Sequence, residues 1–252
     1  MLRFYGNLHT YSLNNAMLLM MQRPDGTVFA SYNTWKRLGR QVNGGVRAAW
    51  VWCPIFAKHP EAAPGEERQV LVGFKPGPVH PAEDLVDIET NPLPALHRDL
   101  PDDHQDLFDL LAAHTEVEGV MVQLEALRPT MGGYAKAGHT VVINRSLDSR
   151  NRIAVLCHEL AHIYLHQREK QQHEAVSARQ AEAEAEAVAY VVMDQLGLSD
   201  VMNGDYLRHW QVSAQQLTES LERIHRGVKT LLRVLHLHPE RERAELSAGQ
   251  QT

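Results

Sequence analysis

The stretch RNRIAVLCHELAHIYLHQREK, residues 150–170, decides how this chain is read. Its apolar positions Ile153, Leu156, Leu160 and Ile163 recur every three or four residues, which predicts an amphipathic helix with Asp148 or Ser149 as its cap. Inside it stands His158-Glu159-Leu160-Ala161-His162. Positions i and i+4 share a helix face, so both imidazoles reach one ion, and Glu159 reaches a water bound to that ion. Zinc lowers the pKa of such a water to about 7, and a neighbouring carboxylate accepts its proton. A solvated surface helix would not set two histidines and a glutamate among Ile153, Val155, Leu156, Leu160 and Ile163.

A catalytic zinc site needs a third protein ligand and an open position. His166 shares the face, but eight residues at 1.5 Å each put it about 12 Å from His158, too far for one ion. It is read as a helix-terminal histidine beside the C-terminal dipole. The next predicted helix, 178–196, offers Glu182, Glu184 and Glu186. Glu182 and Glu186 share a face; Glu184 points elsewhere and is read as solvated. Glu182 is taken as the ligand and Glu186 as the carboxylate behind a ligand histidine, the exchanged roles being the alternative. A ligand glutamate followed four residues later by such an acid resembles the thermolysin-like arrangement. Cys157 is a core thiol off the ligand face. Tyr134, in the glycine turn before the preceding strand, could donate to an oxyanion or simply pack the turn.

Working outward, GGYAKAGHTVVIN (132–144) reads as a glycine turn and a hairpin ending in a strand, and 105–114 as helical. Leu217, Leu221, Ile224, Val228, Leu231 and Leu235 mark a last helix whose stripe is core packing. The tail after Pro239 is polar. Toward the N-terminus, 9–22 and 31–40 read as helices, the second ending at Gly39. Gly44-Gly45 reads as a hairpin turn into the strand RAAWVWCPIF, with Trp50 and Trp52 on one face. A polar loop (59–69), a strand VLVGF and a Pro/Asp-rich interdomain linker (75–104) follow. The expectation is an α+β protein: a small mixed domain with its linker, 1–95, then a mostly helical domain, 96–252.

The 252 residues suffice for one large or two small cores. No apolar run spans a membrane, and no secretory signal is read at the N-terminus. Two distant cysteines, Cys53 and Cys157, exclude a disulfide scaffold and fit a cytoplasmic protein. The net charge of −6 hides an asymmetry, because residues 1–60 hold seven basic side chains against Asp25 alone. They also hold nine of the 16 aromatic residues. Cations and rings interleaved in this way suit single-stranded nucleic acid. The other reading is a small basic domain whose aromatics are its core.

Both halves resemble one family. Tyr11-Ser12-Leu13-Asn14-Asn15, Gln22-Arg23-Pro24, Trp35-Lys36-Arg37-Leu38-Gly39-Arg40 with Val42, and Pro54 resemble the N-terminal domain of ArdC-type antirestriction proteins. Gly133-Tyr134, Leu156 to His162, Glu182 to Tyr190, and Tyr206 with Trp210 resemble the zinc metallopeptidase domain of the same proteins, related to the ImmA/IrrE family. The resemblance implies a zincin-like fold and a Zn2+ cofactor held by His158, His162 and Glu182. Glu159 would be its base, and a protein its substrate. It also implies non-specific binding of single-stranded DNA, for which the candidates are Tyr11, Asn14, Asn15, Gln22, Trp35, Lys36, Arg40 and Arg47. Two alternatives are a protease that cleaves a transcriptional repressor and a DNA-binding protein with a purely structural metal.

Overall fold

The computed structural model describes residues 10–59, 68–93, 100–136, 139–167, 176–202 and 214–237. The chain divides into two compact units, one built on residues 14–93 and the other on 94–239 with the stretch up to Leu13. The fold is α+β. The polar segment 60–67, Tyr206, Trp210 and the C-terminal tail lie outside the described residues.

The first unit begins with α1 (Leu13–Gln22), the short strand β1 (Phe29–Ala30) and α2 (Tyr32–Arg37). Two long strands follow, β2 (Ala49–Lys58) and β3 (Gln69–Pro81). The sheet is antiparallel in the order β1-β3-β2. Ser31 caps α2 by accepting from the Thr34 amide, and Gly39 supplies the positive φ of 73° that ends it. Trp35 packs with Ala30, Val42, Ala82 and Leu85 to form the core. Gly45 turns the chain at φ 82°, but not as a hairpin, because β2 takes its partner from downstream, in β3.

The expected linker from residue 75 onward is therefore wrong at its start. Residues 75–81 are the end of β3, and a 3-10 turn, Ala82–Asp84, continues the fold. Prolines suggested a linker, yet Pro76 and Pro78 face Trp52 and Trp50. The amides of both tryptophans turn outward to α1 (below), so these are positions without ladder bonds between β2 and β3. A missing N–H there costs the ladder nothing.

The second unit holds α3 (His104–Val117), β4 (Met121–Glu125), β5 (Gly133–Lys136), β6 (Thr140–Asn144), α4 (Ser149–His162), α5 (Ala178–Gln195) and α6 (Ala214–Val234). Its sheet runs β4-β6-β5, with β4 parallel and β5 antiparallel to β6. Every residue of β6 is buried. Asp148 caps α4 through the Asn151 amide, and Ser177 caps α5 through that of Gln180. Helix α4 passes at His162 into a π-helical turn, Ile163–Gln167, which carries His166. It packs on the sheet, on α3 and on α5, burying Ile153, Leu156 and Leu160 completely. Ile224, Val228 and Leu231 of α6 are buried as the stripe predicts.

Candidate metal centre

Helix α4 brings His158 and His162 one turn apart on one face, and α5 lays Glu182 against them. The two Nε2 atoms stand 3.1 Å apart. Glu182 Oε2 is 3.4 Å from His158 Nε2, and Glu182 Oε1 is 3.4 Å from His162 Nε2. All three side chains offer an atom within 4.8 Å of the others. Two imidazole nitrogens and one carboxylate oxygen form a donor set suited to a divalent transition metal. Behind the cluster, Glu186 Oε2 lies 3.2 Å from His158 Nδ1, where it orients the ring from its far nitrogen. The side chain of Glu182 is 61% exposed, so the centre opens to solvent.

Burial works against a charged His158, but the Glu186 hydrogen bond and the surrounding carboxylates outweigh it and raise the pKa. Burial, then the neighbouring His158, pushes His162 down to about 4. Glu159 is buried beside them; desolvation raises its pKa, against the pull of His158 and of the Ala135 amide. A cavity of about 300 Å³ adjoins the site, lined by Gly132, Gly133, Val155, His158, Glu159 and Met202 among others. A side chain at Gly133 could not be fitted: its Cβ would fall 2.5 Å from the Val142 carbonyl and 2.6 Å from Val155. Glycine thus lets the β5 edge lie close on α4.

Two expectations require correction here. Tyr134 does not line this cavity: Gly133 faces Val155 of α4, and strand alternation turns Tyr134 to the other side of the sheet. Glu184 is not solvated but fully buried. Its Oε1 accepts from Arg223 Nη2 at 2.7 Å, Arg223 Nε at 2.9 Å and Ser220 Oγ at 2.8 Å, tying α5 to α6. His166 sits in the π turn with Nε2 3.8 Å from Glu184 Oε2, and burial lowers its pKa. The signal for Glu184 was present: it stands four residues before Val188, on the apolar face of α5. Cys157 is wholly buried, and desolvation pushes its thiol up to about 12.

The candidate DNA-binding residues divide. Trp35 is 1% exposed and its indole N–H donates to the His80 carbonyl, so it cannot stack on a base. Arg40 binds Asp87 at 3.0 Å and the Asn91 carbonyl at 2.6 Å. Asn15 and Gln22 spend their amides on the backbone of β2: each donates to a tryptophan carbonyl, and the amides of Trp52 and Trp50 donate back. These four belong to the scaffold. The Tyr11 carbonyl faces His225 Nε2 of α6 at 2.8 Å. Asn14, Lys36 and Arg47 are exposed.

Sequence comparison adds two matches. Residues 1–75 match the N-terminal domain of anti-restriction factor ArdC. Residues 115–222 match the IrrE N-terminal-like domain of the M78 peptidase family. The chain has an ArdC-like architecture. The metal-free crystal structure of the antirestriction ArdC protein from plasmid R388 is similar, at TM-score 0.50 and 20% identity over 95% of this chain and 85% of that one. Its Mn(II)-bound form gives 0.49 and 18%, over 96% and 86%. A Bacillus anthracis protein, pXO2-81, is 24% identical over 95% of this chain, which spans about half (49%) of that relative's length. The three-residue cluster thus lies inside the metallopeptidase-like domain of this ArdC-like chain. Among the described residues no helix is long and apolar enough to cross a membrane.

Proposed function

We propose that this ArdC-like chain is a zinc-dependent peptidase joined to a module that binds single-stranded DNA, serving in the cytoplasm to protect incoming DNA from restriction. The observation that carries the peptidase reading is the spacing of the donors. Around an ion with bonds of about 2.0–2.1 Å, tetrahedral ligands stand about 3.3–3.4 Å apart. The observed separations are 3.1, 3.4 and 3.4 Å. The exposure of Glu182 leaves a fourth position open, which favours a catalytic over a closed structural site.

Bound there, zinc supplies an activated water and polarises a substrate carbonyl. With zinc bound, Glu159 would accept the proton of that water and return it to the departing amine; burial, by raising its pKa, makes it a better base and a competent acid. Glu186 holds the His158 ring in place. Among the described residues no strand pairs with the outer edge of β5, and its Gly132-Gly133 end offers backbone groups along which an extended peptide can lie.

Elemental analysis of the purified chain should find about one zinc, lost in His158→Ala/His162→Ala. Glu159→Gln should keep the metal and lose cleavage of labelled casein. Unchanged zinc in the double variant, or wild-type cleavage by Glu159→Gln, refutes the reading.

A further inference from the structure

The rings exposed in the first unit lie away from Trp35. Cross-strand register sets Trp50 opposite Pro78, Trp52 opposite Pro76 and Pro54 opposite Phe74, with Phe56 further along the same face. Trp50, Trp52 and Phe74 are 50%, 52% and 58% exposed. The other face of the ribbon is its packed side, where Ala49, Val51 and Val79 are buried. Residues two apart on a strand stand about 7 Å apart. That leaves room between Trp50 and Trp52 for one base, whose stacking thickness is about 3.4 Å.

Along the two described strands and the chain leading into β2 the charge has one sign. Residues 26–60 and 68–82 contain no aspartate or glutamate. Lys58, two residues beyond Phe56 on β2, is exposed on the side of the rings, and Arg47, just before β2, is exposed as well. A second copy of the chain would bring like charges together on this face. A partner strand is also barred from the edge of β2 beside Trp50 and Trp52, which the amides of Asn15 and Gln22 occupy. A duplex keeps its bases stacked on one another and offers the rings nothing. An unpaired strand presents bases to the rings and phosphates to the cations.

We propose that the Trp50–Trp52–Phe74 face of the β2–β3 ribbon is the platform on which single-stranded DNA stacks, and that the Trp35–Arg40 segment only supports it. The proposal rests on the DNA-binding reading above and assigns its surface. The test is fluorescence anisotropy of labelled dT20 with the full chain. Trp50→Ala/Trp52→Ala should weaken binding at least about 25-fold, about five-fold for each lost stack. Trp50→Phe/Trp52→Phe should stay within about five-fold, and both variants should melt as wild type because the rings are exposed. As a second arm, Arg47→Glu/Lys58→Glu should lower the slope of log affinity against log salt by about 1.4. If wild type binds dT20 and the alanine pair binds within two-fold of it, the platform is overturned while DNA binding stands. If wild type fails to bind dT20 at low salt, both fall. If sedimentation shows a dimer that the alanine pair dissolves with dT20 affinity unchanged, the face is a self-interface and the proposal is wrong.

Discussion

Replacing Glu184 by alanine should be among the costliest single changes in the second unit, although the residue lies outside the metal cluster. The carboxylate is fully buried, and the Arg223 side chain that grips it is 15% exposed. Removing the acid strands a guanidinium in the α5–α6 interface, together with Ser220 Oγ and the Gln180 amide that also point at Glu184 Oε1. Breaking a buried pair from one side costs about 3–5 kcal/mol, because the surviving charge has lost its partner and not regained water. At about 2–4 °C per kcal/mol for a unit of this size, the melting midpoint should fall by roughly 6–20 °C. Urea unfolding of the full chain, followed by far-UV circular dichroism, measures the loss directly. Arg223→Ala should cost a similar amount by leaving the carboxylate alone. Glu184→Leu/Arg223→Leu should cost much less than the sum of the single changes, since a matched apolar pair strands no charge. The difference should persist in 0.5 M salt, whereas a surface pair would be screened. A Glu184→Ala variant within 1 kcal/mol of wild type would refute the reasoning.

Two further outcomes are expected. In a thiol titration of the native chain Cys53 should react, while Cys157, its thiol raised to about 12 by burial, should react only in denaturant; two fast thiols would contradict the packing of α4. Asn15→Ala/Gln22→Ala should destabilise the first unit by about 2 kcal/mol, roughly 1 kcal/mol for each amide withdrawn from β2, and equilibrium unfolding unchanged from wild type would show those hydrogen bonds to be idle.

Helix α4 was legible because three local signals agreed: a three-to-four residue apolar period, an aspartate cap and a histidine pair four residues apart. The β5–β6 hairpin was legible from its glycines and β-branched run. Glu184 was misplaced because alternating Ala and Glu hides which glutamate shares the face of Val188, and its partner Arg223 comes 39 residues later. The proline-rich end of β3 looked like a linker because composition does not tell which edge of a strand a missing N–H faces. Asn15, Gln22, Trp35 and Arg40 show a different gap. A polar or aromatic side chain is equally able to serve a phosphate, a base or the chain's own backbone, and only the fold decides. The pair Trp50 and Trp52 was read on a common face, but which face is open depends on what Ala49, Val51 and Val79 pack against.

The amides of Asn15 and Gln22 bear on a hazard apart from stability. Strand β2 borders its sheet, and a bare border is a template onto which a neighbouring molecule can polymerise. A primary amide carries a donor and an acceptor side by side, as a peptide group does. Two of them, two turns apart on α1, stand in for the strand that is absent. The imitation is local and leaves Trp50 and Trp52 uncovered above it. A chain that displays indoles can thus remain free of fibrous self-association as long as its first helix stays docked, and loosening that helix would turn an adhesive face into a growing end.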